Sequence, residues 1–210
     1  IFTLLITLCL TGVSFGQDLI LTGIFDGPNP EGTPKGIELY VLNDIADLSH
    51  YGAGSANNGK GTDGEEFEFP AVAVTAGTFL YVASEAPQFE AFFGFAPTYT
   101  SSAMAVNGDD AIELFKDAEV VETFGDIDVD GSGTDWDSLD GWAYRNNGTS
   151  SNGSFVIADW AFSGINELEG GTVNANTNSP FPIGTYTMAT AAIKNNAIAG
   201  FSTYPNPITN

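Results

Sequence analysis

Two alternating apolar runs, Ala111–Lys116 and Val120–Phe124, with only Asp117-Ala118-Glu119 between them, constrain the fold more than any other part of this 210-residue chain. Side chains on a strand alternate between faces with period two, so each run presents one apolar and one polar side. A connection this short, with Asp117-Ala118 at its tip, allows nothing but a tight antiparallel hairpin. The hairpin sits inside a longer stretch, Asn107–Arg145, that opens on the turn signal Asn-Gly-Asp-Asp and ends on the short run Trp-Ala-Tyr-Arg. From Asp109 to Asp140 this stretch holds 12 of the chain's 27 acidic residues.

The same grammar of short apolar runs and turn residues extends in both directions. Asp18–Phe25 reads as a strand followed by a Gly-Pro-Asn-Pro turn, and Gly36–Leu42 as a strand with Ile37, Leu39 and Val41 on one face. The glycine- and asparagine-rich segment 50–64 reads as an exposed, mobile loop. Glu65–Phe69 alternates, with Phe67 and Phe69 inward, and Thr78–Ser84 is nearly continuous apolar, as a central strand is. In Glu85–Gly94 the period changes: Pro87 stands early and Phe89, Phe92 and Phe93 fall at helical spacing, which predicts one short helix over an end of the sheets. Further strands are expected at Thr100–Val106 and near Trp160, with a loop over 170–185. Many short strands and one helix predict an all-β fold, an immunoglobulin-like β-sandwich with one short helix.

A net charge of −22 with only five Lys plus Arg excludes nucleic-acid binding through phosphate contacts, which needs clustered cations. It fits a soluble extracellular protein or one that gathers divalent cations. Residues 1–16 are apolar, uncharged and too short for a comfortable membrane span. They read as a secretory signal lacking its start, with cleavage expected near Gly16–Gln17. The single cysteine, Cys9, lies in that run, so a chain beginning at Gln17 has neither disulfide nor thiolate site.

The sharpest candidate for chemistry is Asp126–Asp137, DIDVDGSGTDWD. Asp126, Asp128, Asp130 and Asp137 occupy positions 1, 3, 5 and 12, Gly131 position 6 and Ser132 position 7. That spacing lets alternating oxygen donors converge on calcium, although position 12 carries Asp in place of Glu and a strand precedes the loop. The plainer alternative is a solvated acidic loop. Asp109-Asp110 reads as a turn and capping pair. His50, the only histidine, reads as a surface residue beside a turn, since no Gly-x-Ser-x-Gly elbow accompanies it. Trp142 and Trp160 read as core, whereas Trp136, within the acidic loop, is the tryptophan expected to be exposed as a ligand-stacking ring.

Two resemblances follow from these motifs. NGDDAIELFKDAEVVETFGDIDVDG…WAYR, with KGIELYVLNDIADLSHY before it and DWAF after it, resembles the lamin-tail domain of secreted bacterial proteins over about residues 18–165. In that family a strand and Asp-Leu-Ser turn precede a GDDAI hairpin, an Arg-bearing strand and a Trp. The resemblance implies an immunoglobulin-like sandwich that binds and does not catalyse; it carries no catalytic motif. The long GSANNGKGTDG loop and the enlarged acidic loop depart from the family pattern. Phe201–Asn210, with Tyr-Pro-Asn-Pro at 204–207, resembles the start of the C-terminal sorting domain of the type IX secretion system of Bacteroidetes. The expected organisation is a signal at 1–16, the sandwich at 17–188, a linker at 189–200 and the truncated start of a sorting domain at 201–210. The implied partners are the type IX secretion machinery and an extracellular polysaccharide or protein, with location in the medium or at the cell surface. The competing expectations are a metal-dependent hydrolase using the acidic-loop carboxylates, and a structural spacer.

Overall fold

A computed structural model describes residues 17–29, 32–151 and 153–188. The signal, linker and sorting expectations, at 1–16, 189–200 and 201–210, lie outside the described residues. The fold is the expected all-β sandwich with one short helix. β1 (Leu19–Asn29), β2 (Thr33–Val41), β5 (Phe79–Ala83), β6 (Tyr99–Thr100), β9 (Trp142–Arg145) and β10 (Trp160–Phe162) form a six-stranded sheet in the order β10-β9-β1-β2-β5-β6. β3 (Tyr51–Ala56), β4 (Phe67–Glu68), β7 (Ala111–Lys116) and β8 (Glu119–Phe124) form a four-stranded sheet in the order β4-β3-β7-β8. Among the described residues the β5–β6 pair alone is parallel.

The hairpin takes the form its sequence demands. Asp117 and Ala118 have φ of 52° and 62°, the left-handed pair of a type I′ turn whose twist matches the flanking strands. The helix α1 (Pro87–Phe93) opens on Pro87, which has no N–H to lose, and closes on Gly94 in the left-handed conformation (φ 84°), whose N–H returns to Glu90 O.

Alternation along the six-stranded sheet creates two cores. Leu19, Leu21, Ile24, Ile37, Leu39, Leu80 and Val82 face the four-stranded sheet, where they meet Ala53, Ile112, Leu114 and Phe124. Ile20, Phe25, Tyr81, Ala83, Trp142 and Tyr144 face the opposite way. There they are covered by Phe89 and Phe92 of α1 and by Leu168, Phe181 and Tyr186. The helix therefore covers the outer face of a sheet and not an end of the sandwich.

Three local expectations are corrected. Tyr51–Ala56 lies within the segment read as a mobile loop, yet it is a fully buried strand. Its small residues exist because other chain crosses it: a Cβ on Gly54 would stand 2.2 Å from Gly64 O, and one on Gly52 2.0 Å from the Glu65 carboxylate. β1 runs through Gly27 and Pro28 to Asn29, with a register break between Asp26 and Asn29 that accommodates the proline. Within Thr100–Val106 only Thr100 is strand; Ser102–Met104 is a 3₁₀ turn whose cap is Ser101.

Candidate functional site

The turn Asn107–Asp110 gathers the loops at one end of the sandwich. Asp110 accepts from Asn107 N at 2.8 Å, closing the turn as expected, and from Asn58 N at 3.0 Å. Gly108 N donates to Asp26 at 3.2 Å, while Gly108 O receives Ser138 N at 2.9 Å. Gly131 N donates to Asp109 O at 3.0 Å.

The loop Asp126–Asp137 hangs from this hub. Its carboxylates close turns of their own backbone: Asp126 accepts from Asp128 N (3.0 Å), Asp130 from Ser132 N (3.0 Å), and Asp137 from Gly133 N (2.7 Å) and Leu139 N (3.1 Å). Asp128 and Ser132 are exposed. Among the described residues no group of three or more His, Cys, Asp or Glu side chains is arranged to hold a metal ion.

Trp136 corrects the expectation that it is exposed: it is only 6% accessible. Its ring packs edge-on to Phe124 (6.0 Å) and Phe155 (6.3 Å), closing one end of the inter-sheet core. It lies over Gly131, where a Cβ would stand 2.4 Å from the indole. Gly131 is glycine because the ring needs its space, and its φ is not in the left-handed region. No stacking surface therefore exists on Trp136.

Four buried ionisable groups, Arg145, Glu122, Glu38 and Asp26, fasten sheets and loops together. Arg145 pairs with Glu122 between the sheets. Glu38, wholly buried, accepts from Thr22 Oγ1 (2.9 Å), Tyr144 OH (2.8 Å) and Gly184 N (2.7 Å), which ties the C-terminal segment to β2. Asp26 receives Gly108 N (3.2 Å) and Asp140 N (3.1 Å) and faces Lys35 Nζ at 3.2 Å. Burial pushes the Asp26 carboxyl up to about 6 from 3.8, against the pull of Lys35 and of the Asp140 N–H. The folded state thus binds a proton more tightly than the unfolded chain. The stabilising contribution is complete below pH 3.8 and is lost as pH rises through 6. Relative to Asp26→Asn, which does not titrate, the wild type is expected to gain about 1 kcal/mol between pH 7 and pH 5, read from urea denaturation at both pH values. A difference that does not change with pH would show that Asp26 is already ionised at pH 5.

The opposite end of the sandwich carries an open cleft that combines a histidine with other ionisable groups. Asp18, Asp44, Ile45, Ala46, Asp47, His50, Tyr51, Lys116 and Asp117 line about 360 Å³. His50 Nδ1 lies 2.6 Å from Asp117 Oδ1, both side chains being more than half exposed, so His50 is the surface histidine its context predicted. Asp18 holds Lys116 Nζ (3.2 Å), Tyr51 OH (3.2 Å) and Asn43 Nδ2 (3.2 Å), with the Lys116 ammonium 5.0 Å from the Tyr51 ring centre. The Ser49 hydroxyl is engaged with Asp47 at 2.7 Å. The cleft offers hydrogen-bonding groups of both signs over a buried floor of Ile45 and Tyr51, an arrangement suited to holding a polar ligand. It escapes sequence reading because its members come from the start of β1, the β2–β3 connection and the tip of the β7–β8 hairpin. The adjacency of His50 to the hairpin tip, two strands paired as Tyr51–Lys116, was the only signal that could have found it.

No family model, no curated protein and no solved structure matches this chain. Among the described residues no helix is long and apolar enough to cross a membrane.

Proposed function

We propose that this chain is a non-catalytic binding or adhesion module of the lamin-tail type, exported by the type IX route and acting in the medium or at the cell surface on an extracellular polysaccharide or protein. The observation that carries the reading is how the ionisable side chains are used. Asp26, Glu38, Glu122 and Arg145 are buried and fasten strands and loops, and one open cleft around His50 and Asp117 brings together hydrogen-bonding groups of both signs, where the Ser49 hydroxyl is engaged with Asp47. Function is argued from such a site and not from the sandwich, which hosts many activities. Calcium belongs to the proposal only through the spacing of Asp126, Asp128, Asp130 and Asp137; with the carboxylates of Asp126, Asp130 and Asp137 tied to the backbone, their arrangement adds no support.

The test is depletion of the purified chain from solution by insoluble cellulose, chitin and xylan and by immobilised gelatin. Saturable retention on at least one matrix is expected, weakened about tenfold by a His50→Ala, Asp117→Asn variant of unchanged melting temperature, with no release of reducing ends or peptides. Release that disappears in the same variant would replace this reading with a hydrolase.

A further inference from the structure

The outer face of the four-stranded sheet holds a buried carboxylate with no counter-charge. Glu113, in the middle of β7, is 3% accessible, and its Oε2 has no hydrogen-bond partner among the described residues. It stands opposite Gly54 on β3 and Thr123 on β8, so all three project from the same face, away from the inter-sheet core. That face is covered by the 57–66 loop. The Gly64 carbonyl oxygen passes 2.2 Å from where a Gly54 Cβ would be, and the Glu65 carboxylate crosses Gly52 at a corresponding 2.0 Å.

The groups that the loop itself lays on this face, the Gly64 carbonyl and the Glu65 carboxylate, are acceptors. Glu66 Oε2 takes Ser55 N (2.8 Å) and Ser55 Oγ (3.0 Å), which leaves neither donor for Glu113. Cationic side chains among the described residues lie elsewhere: Lys35 pairs with Asp26, Lys116 with Asp18, Arg145 with Glu122, and Lys60, in the loop itself, is exposed. A buried carboxylate must be neutralised or paired. Cross-strand Cβ atoms are roughly 5 Å apart, so the Glu113 carboxylate reaches the neighbourhood of the Gly64 carbonyl. Carboxylate and carbonyl oxygens with no nitrogen donor are the ligand set of a hard cation. The glycines of β3 let the loop lie directly on the sheet: a Cβ at position 54 would collide with the Gly64 carbonyl oxygen that approaches this face.

We infer that a calcium-class cation binds between the β3–β7 strands and the 57–66 loop, held by the Glu113 carboxylate and the Gly64 carbonyl with Glu65 beside them, and locks the loop onto the sheet. This site is separate from the Asp126–Asp137 loop, and it stands or falls independently of the binding function proposed above. The same loop is bonded on its far side to the acidic end, through Asn58 N to Asp110 (3.0 Å) and Gly61 N to Ile127 O (2.8 Å). Cation binding therefore stiffens that end of the molecule as a unit.

The test compares the full chain in EDTA and in millimolar calcium. At calcium a hundredfold above Kd the melting temperature is expected to rise by about 5 °C. Lys60 should also become several-fold slower to cut by a lysine-specific endoproteinase that needs no calcium. Glu113→Gln, which keeps the shape of the side chain, should lose both effects; an Asp128→Ala, Asp130→Ala variant should keep both. Direct calorimetric titration with calcium chloride should give a single site that Glu113→Gln removes, which keeps the proposal testable if melting of the variant is irreversible. Calcium effects that survive Glu113→Gln would overturn it, as would their absence from the wild type; loss in the Asp128→Ala, Asp130→Ala variant alone would move the cation to the acidic loop.

Discussion

Arg145→Ala is expected to destabilise the fold by about 3–5 kcal/mol, the largest effect of any single charge removal in the molecule. Arg145 is 4% accessible and Glu122 1%. The last β1–β9 pair is Gly23 with Tyr144, and beyond it the backbone of Leu21 lacks a strand partner on that side. Two side chains supply what the missing strand would have. Arg145 Nε donates to Leu21 O at 2.7 Å, and Glu122 Oε2 accepts Leu21 N at 2.9 Å. The guanidinium bonds Glu122 directly and lies 4.5 Å from the Trp160 ring centre, while Gln17 Nε2 donates to Glu122 at 2.9 Å. Glu122 belongs to β8 of the four-stranded sheet and Arg145 to β9 of the six-stranded one, so the pair bolts the sheets together. Truncating Arg145 leaves the Glu122 charge buried without its cation and Leu21 O without its donor, which is why the cost exceeds that of a surface pair, typically below about 1 kcal/mol. Replacing both partners with apolar residues of similar volume, Glu122→Leu with Arg145→Met, should recover only part of the loss: it removes the cost of desolvating two charges but leaves Leu21 N and Leu21 O without partners. Urea denaturation with an unchanged m value measures both variants. A cost under about 1 kcal/mol for Arg145→Ala would mean that water reaches the pair and that the sheets are held by packing alone.

The parts of this fold that were legible in the sequence are those in which local chemistry decides. A short gap between alternating runs forces a hairpin, and Asp117 and Ala118 adopt its left-handed pair. Pro87, three phenylalanines at helical spacing and Gly94 specify start, buried face and stop of α1. Long-range packing settles what was misread. Tyr-Gly-Ala-Gly-Ser-Ala looks like linker, yet as β3 it is the floor on which the 57–66 loop lies, and small residues were chosen by that crossing and not by flexibility. Gly131 at the sixth position of a calcium-like spacing serves an indole five residues on. The spacing is real, but the side chains close local turns, as Asp commonly does with a backbone N–H two residues ahead. The His50 cleft had no local signature at all, because the hairpin tip and the β2–β3 connection meet only after β3 pairs with β7.

Trp136→Ala is expected to cost about 3–5 kcal/mol, a magnitude that belongs to a core aromatic and not to a loop residue. The ring meets Phe124 and Phe155, and Phe124 in turn meets Trp160 at 4.7 Å and Phe162 at 6.4 Å. Removing the indole opens a cavity at the end of the inter-sheet core, next to Ala111, Gly125 and Gly131. The backbone around it cannot collapse into that space easily, because Gly131 N is held by Asp109 O (3.0 Å) and Ser138 N by Gly108 O (2.9 Å). Trp136→Phe, which keeps an apolar ring of smaller volume, should cost less than half as much. The same cavity loosens the attachment of an acidic loop whose charges repel one another, so Trp136→Ala should also make its stability more dependent on salt than that of the wild type. Urea denaturation at low and at 0.5 M sodium chloride, followed by the fluorescence of Trp142 and Trp160, reads both effects. If Trp136→Ala were instead nearly neutral, the ring would be contributing nothing to the core, and its only remaining role would be the exposed, sugar-stacking one expected from its place in the sequence.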